Sequence, residues 1–110
     1  MAKQKIDLSV SAGMIAEAKK GIKWREKYKR GATRIGIIRA RQIVNDKKLT
    51  PETWKRVKAY FARHEVDKKG KGWSPGEEGF PSAGRIAWAL WGGDPGKTRS
   101  EKIVRQLNSE

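Results

Sequence analysis

Cysteine is absent from the 110 residues. That excludes disulfides, thiolate metal centres and a cysteine nucleophile, and nothing calls for an oxidising compartment. Histidine occurs once, in "RHEVD". A metal usually needs three or four converging ligands, and His64 and Glu65 are sequential, so they do not face each other on a helix. His64, Glu65 and Asp67 are therefore weak candidates for metal binding or acid–base work. No serine sits in a nucleophile elbow, and "GKGWSPG" lacks the Lys-Ser/Thr ending of a phosphate loop. Long apolar runs are missing too. The longest, "IAWALW", is too short to cross a bilayer, and "MAKQKIDLSVSAG" has no apolar signal-peptide core. These absences predict a soluble cytoplasmic protein that is not an enzyme and carries no cofactor and no metal.

Acidic residues are scarce as well: 12 Asp and Glu face 26 Lys and Arg, for a net charge of +14. The excess is uneven. Residues 1–63 hold 18 Lys/Arg and 5 Asp/Glu, whereas residues 64–110 hold 8 and 7. Like charges crowded on one part of a small domain cost stability through self-repulsion. A polyanion would relieve that cost, and nucleic acid is the commonest polyanion; an anionic membrane is the weaker option.

Turn and cap signals divide the chain into helices. Residues 1–8 read as a loose arm, and residues 9–110 as one domain with a basic half, 9–63, and a Trp/Gly-rich scaffold half, 64–110. A first helix over roughly 9–29 carries an apolar stripe of Ile15, Ala18 and Ile22. Ser9 or Ser11 can cap it, Gly31 can stop it, and Gly13 and Gly21 weaken it. Thr33 can cap a second helix, with Ile35 and Ile38 on one side and Ile37, Ala40 and Val44 on an adjacent one. Thr50 and Pro51 open the clearest helix, with Trp54, Val57 and Phe61 as its buried stripe and Tyr60 beside it. Residues 66–81 are too rich in glycine and proline for regular structure and form a long loop anchored by Trp73 and Phe80. Ser82 caps a short helix, and Asp94, with Pro95 after it, caps the last. The prediction is a small all-α single domain of four to five short helices.

The candidate nucleic-acid-binding residues follow from charge and placement. They are Lys19, Lys20, Lys23, Arg25, Lys27, Lys29 and Arg30 on the first helix, and Arg34, Arg39 and Arg41 on the second. Lys47 and Lys48 lie in the connection, and Lys55, Arg56 and Lys58 on the third helix. Interleaved Trp24, Tyr28, Trp54 and Tyr60 suit phosphate contacts with some stacking, although burial in the core explains each aromatic alone. Helices two and three could also be a helix-turn-helix offering Glu52, Thr53, Lys55 and Arg56 to bases. Backbone contacts with little sequence preference, to DNA more than RNA, are the favoured expectation.

One segment breaks the pattern. "GFPSAGRIAWALWGGDPG", residues 79–96, has two tryptophans and five glycines but only Arg85 and Asp94 as charged groups. A short helix apolar on most sides is normally buried, so it reads as the scaffold that supplies the apolar area the basic half lacks. The alternative is an exposed protein-docking patch of Trp73, Arg85, Trp88 and Trp91, since Trp and Arg are enriched at interface centres.

The strings "ARHEVDKKGKGW" and "PSAGRIAWALWGGD" resemble a small domain of tailed-phage and prophage proteins, found alone or joined to head-maturation-protease-like polypeptides. The resemblance spans about residues 15–106. It implies a viral context, with a place in the host cytoplasm or on the virion, and no mechanism. It leaves room for a second function class: a protein-binding accessory factor, either a head-assembly component or an inhibitor of a host nucleic-acid enzyme, partnered by a phage structural or host protein. The family pattern has an aromatic near residues 98–99 that "KTRSEK" lacks, which implies looser packing of the last helix.

Overall fold

Capping residues set the frame. In the computed structural model, which describes residues 6–30 and 33–109, five helices follow one another: α1 (Ala12–Tyr28), α2 (Arg34–Arg41), α3 (Pro51–His64), α4 (Ala83–Leu90) and α5 (Gly93–Asn108). Four begin at a hydroxyl side chain that accepts from a backbone N–H three residues on, filling a donor the first turn leaves unpaired. Ser11 takes Met14 at 3.2 Å, Thr33 takes Gly36 at 3.2 Å, Thr50 takes Thr53 at 3.1 Å and Ser82 takes Arg85 at 3.1 Å. Among the described residues the extended backbone pairs only at one bridge, Ser9 with Lys48. The chain is an all-α single domain.

Two helix ends differ from expectation. α1 stops at Lys29, which is left-handed (φ 57°) and donates its N–H to the Arg25 carbonyl at 2.8 Å; Gly31 lies outside the described residues. α5 is not capped by Asp94. The chain turns into it through two left-handed glycines, Gly92 at φ 114° and Gly93 at φ 65°. A β-carbon on Gly93 would collide with the Glu17 side chain, so only glycine fits both the angle and the space. Asp94 falls inside the first turn, where its carboxylate suits the helix dipole.

α4 is the centre of the fold, touching all four other helices. Its Ile86, Trp88, Ala89 and Leu90 are buried, in agreement with the scaffold reading. One continuous core joins them to Met14 and Ala18 of α1, Ala40 and Ile43, Trp54, Val57, Tyr60 and Phe61 of α3, and Ile103 and Val104 of α5. The basic and scaffold halves of the sequence therefore share one interior. Gly21 lets α1 lie against α4: a β-carbon there would sit 2.8 Å from the Leu90 backbone nitrogen.

The start of the chain is more ordered than a loose arm over 1–8 implies. Residues 1–5 lie outside the described residues, but Leu8 is docked: its carbonyl accepts from Leu49 N–H at 3.2 Å and from Trp54 Nε1 at 2.9 Å. Arg99 donates to the carbonyls of Ser9 and Asp7 at 3.0 and 3.2 Å. On α2 the expected apolar sides are only partly buried, because Gly36, Ala40 and Ile43 face inward, leaving Ile35 at 50% and Ile38 at 41% exposure. The small inward residues let the helix approach Trp91 closely. Beyond Arg41 the helix widens into a π-helical turn over Gln42–Asp46, closed by left-handed Lys47. The last helix packs closely despite its missing aromatic. Ser100, Ile103 and Val104 are buried, and Phe61 of α3 lies against Gly96.

The loop after α3 begins as a 3₁₀ turn, Glu65–Lys69. Its anchors are Trp73, edge-on to Trp88 at 5.4 Å between ring centres, and Phe80, edge-on to Trp24 at 5.5 Å. Glu77 fixes the bend between them by accepting from the N–H groups of Gly72 and Ser74 at 3.1 and 3.0 Å.

Candidate nucleic-acid interface

α1 presents its cations opposite its buried side. Lys19, Lys23 and Lys27 recur every four residues, on one face and spread over about 12 Å at 1.5 Å per residue. All three are exposed, as are Arg25, Lys29 and Arg30. Lys27 and Arg30 sit over the Tyr28 ring at 5.3 and 5.4 Å, and Lys20 over Trp24 at 5.3 Å. Arg34, Arg41, Lys47, Lys48, Lys55, Arg56 and Lys58 are exposed as well. Arg63, absent from the expected set, is exposed on α3; its spacing of seven from Arg56 could have flagged it.

Arg39 is a correction. It is only 4% exposed, so it is not a surface phosphate ligand. Its guanidinium lies 5.0 Å from the Trp91 ring, Nη1 donates to Gln42 Oε1 at 2.7 Å, and Nε is buried without a partner. Burial, with the charge of Arg56 nearby, lowers its pKa.

Pairing separates the two halves. Of the sixteen Lys and Arg in residues 6–63, Lys20 alone has a carboxylate within 4.0 Å among the described residues, that of Glu17 at 2.6 Å. Of the eight in residues 64–109, five are paired: Lys68 with Asp94, Lys71 with Glu78, Arg85 with Glu17, Lys97 with Glu65 and Glu101, and Arg99 with Asp7. Two of these tail cations draw their carboxylate, Glu17 or Asp7, from the basic half. The scaffold thus removes negative charge from a region that already lacks it.

The cations do not form one packed helical pair. Among the described residues the backbone of α3 makes no close approach to that of α1 or of α2. A helix-turn-helix needs its two helices to pack together, so that reading is overturned.

The tryptophan patch also needs correction. Trp88 is 1% and Trp91 7% exposed, so neither can dock a partner. Trp73 is half-buried against Trp88. Arg85 lies between Trp24 and Trp73, 5.0 and 5.6 Å from their rings, and donates to Glu17 Oε1 at 3.2 Å. Trp88 reaches Asp94 through its Nε1 at 2.9 Å, and Lys68 Nζ is 3.0 Å from the same oxygen. Partial burial pushes the Asp94 pKa up, but the Lys68 and Trp88 hydrogen bonds outweigh it and the net shift is downward.

A groove of about 520 Å³ runs between the start of α2, the end of α3 and α4. Ile35, Gly36, Tyr60, Arg63, His64, Asp67 and Trp91 are among its lining residues. Tyr60 stacks flat on Trp91, with ring centres 4.4 Å apart and planes 2° apart, and meets His64 at 4.6 Å and 31°. His64 Nδ1 is 3.3 Å from Asp67 Oδ2, whereas Glu65 turns away to Lys97. His64, Glu65 and Asp67 therefore do not converge, and among the described residues no three His, Cys, Asp or Glu side chains are placed to hold a metal. No described helix is long and apolar enough to cross a membrane. No protein-family profile, curated protein or solved structure matches the chain.

Proposed function

We propose that this is a non-enzymatic nucleic-acid-binding protein that contacts the phosphate backbone with little sequence preference, DNA more than RNA. One observation carries the reading: fifteen of sixteen cations in residues 6–63 have no carboxylate partner among the described residues, while most of those in the tail do. Cations kept for solubility alone gain from local ion pairs. Cations that neutralise phosphates work best unpaired, because binding then releases the counterions condensed on the nucleic acid. Lys19, Lys23 and Lys27 on α1, Arg34 and Arg41 on α2, and Lys55, Arg56 and Lys58 on α3 are the principal contacts. The setting proposed with it is viral, in the host cytoplasm or on the virion; the phage-like strings are what support this. Purification at low salt, with ultraviolet absorbance and mass spectrometry of whatever adheres, tests it. Polynucleotide should come along and be shed at high salt; a preparation free of polynucleotide at every salt concentration refutes the reading.

The accessory-factor reading keeps one supporting observation, the exposed Ile35 and Ile38 three residues apart on α2. Capture from host lysate with and without nuclease separates the two. Partners lost after nuclease support nucleic acid, and a stoichiometric protein that stays supports the accessory factor.

A further inference from the structure

We infer that the groove between α2, α3 and α4 is a nucleobase subsite, and that the preferred ligand is single-stranded DNA with a base turned out of the stack. The inference rests on the nucleic-acid reading and specifies the form of nucleic acid.

The volume, about 520 Å³, lies within the range of small-molecule sites. Its walls match the three parts of a base. A flat face comes from His64, backed by the buried rings of Tyr60 and Trp91. That series begins in the core, where Arg39 covers Trp91, and ends at the solvent with His64, whose side chain is 43% exposed. A further ring can extend the series there, as bases do on aromatic and imidazole surfaces. Apolar contact comes from Ile35, half-exposed and serving no core.

A polar edge comes from Asp67. Tyr60 is 95% buried by its 5% exposure, and its hydroxyl has no hydrogen-bond partner among the described residues. That hydroxyl has no accessible surface, so it belongs to the interior and not to the wall that a base would meet. Asp67 holds its position because Gly84 of α4 has no side chain; a β-carbon there would be 3.1 Å from Asp67 Cβ.

The surrounding charge selects the occupant. Arg63 lines the groove, and Arg34 lies between its lining residues Thr33 and Ile35. Neither has a carboxylate within 4.0 Å among the described residues. A base joined to a phosphate fits an aromatic slot with an arginine on its wall. A duplex, whose bases are stacked and paired, cannot offer one without paying for unstacking.

Fluorescence anisotropy with a labelled oligothymidylate, an abasic strand of the same length and a duplex tests the inference. The thymidine strand should bind about tenfold tighter than the abasic one, the scale of one stacked base. Ala83→Trp, at an exposed position lining the groove, should bring that ratio to about one while leaving the salt dependence unchanged. Equal binding of the thymidine and abasic strands with a steep salt dependence overturns the subsite and leaves phosphate binding standing. An unchanged ratio in Ala83→Trp also overturns it. Failure of every strand to bind at low salt refutes the underlying reading itself.

Discussion

Residues 6–63 and residues 64–109 meet in one core, yet they handle positive charge in opposite ways. On α1 the cations stand in a row on the solvent side, and among the described residues only Lys20 has a carboxylate within 4.0 Å. In the tail, Lys97 sits between Glu65 and Glu101, and Arg85 is held among Glu17, Trp24 and Trp73. A charge that serves the fold is paired with an acid or buried, and a charge kept for a partner stays exposed and unpaired. By that criterion, Arg39, buried on Trp91, belongs with the tail although it lies in the basic half of the sequence.

The contrast breaks most severely if α4 is emptied. Trp88→Ala removes a ring in contact with Phe61, Trp73 and the Asp94 carboxylate. It should cost about 3–5 kcal/mol, a large share of the ~5–15 kcal/mol expected for a domain. Urea denaturation gives the value, and a loss below about 1 kcal/mol would mean α4 is not the central support.

Gly21→Ala comes next. By helix propensity alone it should stabilise α1 by up to about 1 kcal/mol. The Leu90 backbone stands 2.8 Å from the new β-carbon, so a net loss of about 1–3 kcal/mol is expected from overpacking. The sign of the change in melting temperature decides between the two.

Removing cations sharpens the comparison. Lys97→Met should lower stability by up to about 1 kcal/mol, since a partly exposed ion pair is worth little more. Replacing Lys19, Lys23 and Lys27 together by alanine should leave stability unchanged or raise it by tenths of a kcal/mol, as repulsion falls. Parallel thermal melts of the two variants at low salt reveal whether the order holds.

The smallest effect is acid-dependent. The folded pKa of Asp94 lies below its unfolded value of 3.8, so its contribution is present above that pH and is lost as the pH falls through the folded value. Asp94→Asn should flatten this part of the stability curve. An acid limb identical to that of the parent protein would show that the Lys68 and Trp88 contacts contribute nothing.

Much of the fold was legible in local chemistry. Ser11, Thr33, Thr50 and Ser82 each cap the helix their position suggested, because a hydroxyl before an apolar period acts within four residues. The apolar stripe of α3 was legible for the same reason. What escaped was set by distant parts of the chain. Leu8 is ordered by Trp54 and Leu49, and Arg39 is buried by Trp91. Gly21 reads as a weak helix residue until α4 is laid against it. Within the candidate site the cations were legible from composition, but the groove was not, because Ile35, Tyr60, Asp67 and Trp91 come from four separate segments.

The salt dependence of DNA binding by the parent protein and by the Lys19, Lys23 and Lys27 alanine variant tests the central claim most directly. The affinity of the parent should fall steeply as salt rises. On duplex DNA the variant's slope of log affinity against log salt should be shallower by about 2.7, from roughly 0.9 for each lost phosphate contact. A flat dependence in the parent protein, or the same slope in both, would contradict the claim that the unpaired cations of α1 are held for phosphate.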